Sequence, residues 1–177
     1  MVDETEKFDI NTESRSVEDG GVDPSDLTFL CVVDDTPEMA AALRFACRRA
    51  SRSGRRLGLL YVIEPVEFQH WMSVGELMAQ ERREEAEEML QVVARTVQIR
   101  TGEMPLLYIR EGNLTEELLN LIDEEKNIAL LVLGAATGND GPGPLVSHLV
   151  QKNAGQLRVP ITVVPGSLSE EDIDAIT

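Results

Sequence analysis

Along this chain, short continuous apolar runs alternate with longer stretches that are apolar on one side only. Leu27–Val33, Leu57–Ile63, Leu106–Arg110, Ala129–Leu133 and Ile161–Val164 read as strands. Uninterrupted apolar runs of that length mark parallel strands covered on both faces. Between them lie helical patterns. Thr36-Pro37-Glu38 opens the first, with Thr36 as N-cap and Pro37 at the first helical position. Met39, Leu43, Ala46, Cys47 and Ala50 form its stripe, and Gly54 stops it. Ser73-Val74-Gly75-Glu76 has the spacing of a capping box, and the long helix after it carries Ala86, Met89, Leu90, Val93, Ala94 and Val97 on one side. Glu116–Glu125 and about Leu145–Gln156 are two further helices, and Ser169-Glu170-Glu171-Asp172 can cap a last helical turn. Five strands with four intervening helices predict one doubly wound α/β domain, a parallel sheet with helices on both faces. In such sheets a ligand sits beyond the carboxyl ends of the strands, where the strand order reverses.

Composition sets the limits of this picture. The 177 residues suffice for one domain with a sizeable core. No apolar run reaches the roughly 18–20 residues of a membrane helix. The acidic, polar start is no signal peptide, so a cytoplasmic protein is expected. The net charge of −16 is concentrated at the ends: residues 1–26 carry −7 and residues 167–177 carry −4. Residues 1–26 are accordingly expected to be a flexible acidic arm, 27–166 the folded domain, and 167–177 an acidic tail with a possible short helix. Such a charge balance argues against nucleic acid and against a membrane surface as partners. Cys31 and Cys47 have no CxxC spacing and read as buried reduced thiols.

Candidate chemistry is sparse. Asp34 and Asp35 end the first strand, where carboxylates can meet a base, a sugar or Mg²⁺; equally, they can favour the positive end of the next helix. A response-regulator reading fails because Ile109-Arg110-Glu111-Gly112 stands where an aspartate is needed, and no GxGxxG follows the first strand. The loop Gly134-Ala135-Ala136-Thr137-Gly138-Asn139-Asp140-Gly141-Pro142-Gly143-Pro144 is rich in small residues that let backbone approach a ligand, with a helix after it to supply N–H donors. It lacks the Gly-Lys-Ser/Thr of a Walker A loop, and a plain surface loop is its other reading. Arg44, Arg48, Arg49, Arg52, Arg55 and Arg56 crowd the first helix and its exit, as a polyanion site or as cations suited to a helix C-terminus. Phe68, His70, Trp71 and Met72 form the one aromatic cluster, either a lid or packing beneath the long helix. No nucleophile–base–orienter set is visible.

Taken together, FLCVVDDTPEMAAALRFA, LLYVIEP, YIREGNLTEELLNLIDEE, LLVLGAATG and VPITVVPG resemble, in order and spacing, the universal stress protein family over Leu27 to Gly166. The resemblance implies strand order 3-2-1-4-5 and a homodimer joined through the Ile161–Val164 edge. One branch of the family binds ATP through Gly-x2-Gly-x9-Gly-Ser/Thr. With Gly134 as its first glycine, Thr137, Ser147 and His148 occupy the remaining positions, so only the first is kept; Ala136, Gly138, Gly141 and Gly143 surround the displaced motif. On the adenosine side, Asp34, beside Asp35, matches a base-contacting aspartate, and Val33, Val62 and Leu133 are expected to wall the purine. The resemblance therefore implies a stress-response module with ATP or AMP as ligand, and Mg²⁺ only alongside ATP. A nucleotide-free dimeric interaction module is the alternative, and a slow ATP hydrolase has the least support in the sequence.

Overall fold

The computed structural model describes Asp23 and residues 26–65, 72–138, 141–153, 155 and 157–177. Its strands are β1 (Thr28–Val32), β2 (Arg56–Ile63), β3 (Leu106–Glu111), β4 (Ile128–Ala135) and β5 (Ile161–Pro165). They form one parallel sheet in the order β3-β2-β1-β4-β5. The helices are α1 (Met39–Ser53), α2 (Met72–Thr101), α3 (Leu114–Glu124), α4 (Pro144–His148) and α5 (Glu170–Ile176).

Period-two alternation sends neighbouring β1 residues into two separate cores. Cys31 and Val33 face the α1–α2 side, with Leu59, Leu43, Ala46, Leu90 and Val97. Leu30 and Val32 face the other side, with Leu60, Leu118, Ile122, Leu131, Leu133 and Leu149. Both faces are covered, which is why the central strands read as unbroken apolar runs. Cys31 and Cys47 are free thiols inside the first core. Burial is the main cause that pushes both up, Cys47 to about 11 and Cys31 further. At neutral pH they behave as small hydrophobic groups.

The helix ends depart from expectation in instructive ways. Thr36 does not cap α1. Its N–H (3.0 Å) and its hydroxyl both donate to Asp34 Oδ1, which makes the turn an Asx turn. α1 begins only at Met39, after Glu38, which makes no side-chain cap. Gly54 does stop α1, in the left-handed conformation at φ 63°. The spacing at Ser73–Glu76 is likewise no cap, because α2 has already begun at Met72. α3 starts two residues earlier than its apolar stripe suggests, because the Asn113 side chain accepts the N–H groups of Thr115 and Glu116. The helix expected over about Leu145–Gln156 is α-helical only to His148 and continues as a π turn over Leu149–Asn153. Phe68, His70 and Trp71 lie outside the described residues.

Residues 167–177 are part of the folded body. Ser169 and Asp172 close a reciprocal capping box, and Ile173 is buried against the rest of the domain. Arg44 on α1 binds Asp174 through two hydrogen bonds and Glu170 through an ion pair at 2.6 Å, while Arg48 approaches Asp174 at 3.3 Å. Two of the crowded arginines therefore hold the last helix in place. Opposite them, Arg158 acts as a staple. Its guanidinium donates to the carbonyls of Ile122, Glu125, Lys126 and Ile128, joining the end of α3 to the start of β4.

Candidate functional site

The sheet order reverses between β1, whose sequence neighbour β2 lies on one side, and β4, which pairs with β1 on the other. At the carboxyl ends of these two strands lies a cleft of about 230 Å³. Val32 and Leu133 form its floor, Met39, Leu114, Leu145 and Val146 its apolar sides, and Asp34, Thr36 and Glu38 its polar rim. Pro142, Gly143 and Pro144 close it from the glycine-rich loop. The Ala136 N–H donates to the Pro142 carbonyl at 3.2 Å and ties that loop across its neck.

Of the residues expected at the site, Asp34, Leu133, Gly134 and Gly143 do meet in the cleft. Val33 does not. Its side chain is buried on the α1–α2 side, and Val32 takes the place assigned to it. In a period-two strand one step reverses the face, so adjacent residues line different surfaces. Val62 packs against the same core as Val32 and Leu133 but does not line the cleft. Asp35, Thr137, Gly138 and Gly141 are exposed; Ala136, Ser147 and His148 are half-buried and lie outside the lining. The Ser147 N–H donates to the Gly143 carbonyl within α4. The expected row of N–H donors behind the loop is also short, because Pro144 opens α4 and proline has no N–H.

Gly134 has a packing reason that its sequence does not announce. A Cβ there would lie 2.7 Å from the Glu38 carbonyl oxygen and 2.8 Å from its carbon. Gly166 faces the same residue, since a Cβ there would lie 2.8 Å from the Glu38 Cβ. The carboxyl ends of β4 and β5 thus press on the start of α1. Gly141 and Gly143 adopt φ of 93° and 98° in open space, so their role is to turn the chain. Sequence reasoning missed Glu38, Met39 and Leu114 as cleft residues. The available signal was position, since each opens a helix just beyond the carboxyl edge of the sheet.

Asp34 uses one carboxylate oxygen for the Asx turn. Both hydrogen bonds to its carboxylate fall on Oδ1, and Oδ2 accepts none among the described residues. A larger hollow of about 280 Å³ lies at the ends of β2 and β3. Its Arg82 is engaged by the carbonyls of Met78 (3.3 Å) and Glu64 (3.1 Å), and neighbouring Arg83 by Glu111. Among the described residues no three His, Cys, Asp or Glu side chains come together to hold a metal ion. None of the described helices is long and apolar enough to cross a membrane.

This architecture has close counterparts. The universal stress protein UspA from Lactobacillus plantarum superposes with a TM-score of 0.65 at 20% identity, over 78% of this chain and 97% of that one. A universal stress protein family member from Burkholderia pseudomallei gives 0.62 at 18%, over 81% and 99%. An Arabidopsis thaliana family member, solved with AMP bound, gives 0.54 at 14%, over 78% and 91%. No curated protein matches the chain. The sequence model of the universal stress protein family matches residues 28–165, the whole span from β1 to β5, and leaves α5 beyond its end. The chain belongs to the universal stress protein family.

Proposed function

We propose that this protein is a cytoplasmic stress-response module that binds an adenine nucleotide in the cleft between β1 and β4. The observation that carries the reading is the cleft itself: apolar walls and one free carboxylate oxygen meet at the point where the strand order reverses. Its volume of about 230 Å³ lies below the roughly 300–1,000 Å³ of drug-sized sites, which suits a base and part of a ribose with the phosphates at the mouth. Asp34 Oδ2 is positioned to accept a hydrogen bond from a base amine or a sugar hydroxyl. The AMP bound to the Arabidopsis relative supports the choice of ligand. The phosphate end has less to offer: α4 is five residues long, and neither Ser147 nor His148 lines the cleft. AMP is therefore a better fit than ATP. Mg²⁺ would enter only with ATP, and the module works by binding rather than by catalysis.

The test is to purify the full chain without added ligand and identify retained small molecules by mass spectrometry. AMP or ATP at near-stoichiometric amounts supports the reading. Empty protein that also gives no calorimetric heat with adenosine, AMP or ATP overturns it and leaves the nucleotide-free interaction module.

We further propose a homodimer through the β5 edge. β5 ends the sheet, and its outer edge carries half-exposed Ile161 and Thr162 and exposed Val163. Sedimentation should give a dimer for the wild type and a monomer for Val163→Lys, since an edge lysine opposes strand pairing.

A further inference from the structure

The cleft holds two acidic side chains, Asp34 and Glu38, and no lysine or arginine. We propose that Glu38 is a specificity-determining residue of this site, which admits adenosine and AMP and discriminates against ATP. The inference rests on the nucleotide reading above and sharpens it.

Glu38 is held in place from three directions. Its carbonyl accepts the Ala42 N–H at 3.2 Å at the start of α1. Gly134 and Gly166 lie so close to it that a Cβ at either would collide with it. The side chain runs across the end of β4, its Cγ 3.0 Å from where a Gly134 Cβ would sit. Gly134 is the residue from which the glycine-rich loop departs, so the Glu38 side chain lines the cleft where β4 gives way to that loop.

Among the described residues the Glu38 carboxylate has no hydrogen-bonding or ion-pairing partner. The nearest arginine along α1, Arg44, is engaged by Asp174 and Glu170. Residues 136–143 of the loop carry Asp140 and no base. Adenosine is neutral, and its hydroxyls and amine can donate to carboxylates at no charge penalty. A terminal phosphate carries about −1.5 to −2 at pH 7. AMP already brings that like charge toward Glu38 and Asp34 in a partly desolvated cleft, and each further phosphate adds to it, so the repulsion rises from adenosine through AMP to ATP. Fold and charge act together here, because the contact that makes residue 134 a glycine also fixes the backbone of the residue that bears the carboxylate.

The experiment is calorimetry on the full chain with adenosine, AMP and ATP in EDTA, for the wild type and for Glu38→Gln. The wild type should bind AMP at least about 10-fold more tightly than ATP, and Glu38→Gln should narrow that ratio about 3–10-fold by strengthening ATP, with adenosine changed less than about 2-fold. Gln keeps the length and the backbone contacts of Glu38. A second measurement needs no variant: the wild-type AMP-to-ATP ratio should shrink as ionic strength rises from about 0.01 M to about 0.5 M, because salt screens the repulsion. If adenosine and AMP bind but ATP binds as tightly, or the ratio responds to neither Glu38→Gln nor salt, Glu38 is not the selector and the nucleotide reading stands. If the wild type binds none of the three ligands, the nucleotide reading itself falls, and the selectivity with it.

Discussion

Arg44 grips Asp174 with a two-pronged hydrogen bond, Nε to Oδ1 at 3.1 Å and Nη2 to Oδ2 at 2.7 Å, between residues 130 positions apart in the chain. The contact joins the family fold to a helix beyond it, since the family match ends at residue 165 and α5 begins at Glu170. The hydrogen bond from Arg44 holds the Asp174 carboxyl below its ordinary range, and the same bond raises Arg44. A depressed carboxylate stabilises the fold above its unfolded pKa, and that contribution is lost as pH falls through the folded value. Amide exchange in α5 should therefore stay slow at neutral pH and accelerate only below the ordinary aspartate range. Asp174→Asn should exchange faster at neutral pH and lose its difference from the wild type in acid. Equal exchange at pH 7 would show that the pair does not hold α5 down.

The loop glycines should separate into two kinds under mutation. Gly134→Ala forces a Cβ against the backbone of Glu38, a collision that no rotamer relieves. Overpacking of this sort costs about 1–3 kcal/mol, and contact with backbone puts this site at the upper end. Gly138 has nothing within 4 Å and an ordinary backbone conformation, so Gly138→Ala should leave the melting temperature unchanged. Thermal denaturation of the two variants without nucleotide checks the distinction. Equal stability would mean that the close approach of β4 to α1 is not real.

These glycines also show where the sequence is informative and where it is not. The five strands, the parallel sheet and α1 follow from burial, because a strand covered on both faces cannot avoid being apolar. Helix ends were less legible. Thr36 has the identity of an N-cap, yet competes for Asp34, and the Asx turn wins. Asn113 went unnoticed because the stripe of α3 starts later than the helix itself. Val33 packs in the α1–α2 core, one step from Val32 in the cleft, whereas Leu133 and Asp34 both line the cleft. Glu38 was invisible for a different reason. Its importance comes from contacts with Gly134 and Gly166, and nothing local in the chain reports a contact over about a hundred residues. At the acidic C-terminus the Ser169–Asp172 cap is legible in the sequence, but composition registers charge and not its pairing with Arg44 and Arg48.

Arg158 offers a test of geometry rather than charge. One guanidinium serves four carbonyls, those of Ile122, Glu125, Lys126 and Ile128, between the last turn of α3 and the first residue of β4. An ammonium has three donors on a single point and cannot span that spread. Arg158→Lys should therefore destabilise nearly as much as Arg158→Ala, each by about 1–2 kcal/mol in urea unfolding, a range suited to charge-assisted bonds at a partly exposed site. Full rescue by lysine would reduce the staple to a simple charge effect.

Asp34 combines two roles that different substitutions can separate. Oδ1 holds the turn by accepting from the Thr36 N–H and hydroxyl, and Oδ2 is the oxygen the turn leaves open, the one proposed above to meet a nucleotide. Asparagine keeps an acceptor at Oδ1 for the turn, but replaces the second oxygen with an amide that donates. Alanine removes both. Asp34→Asn should therefore melt within about 0.5 kcal/mol of the wild type while losing AMP affinity about 10-fold, the worth of one charge-assisted hydrogen bond. Asp34→Ala should lose comparable affinity and, in addition, about 1 kcal/mol of stability with its turn. The diagnostic comparison is calorimetry with AMP beside thermal melts of the same two variants. If Asp34→Asn binds AMP as the wild type does, the carboxylate serves only the turn, and the adenosine pocket has been assigned to the wrong oxygen.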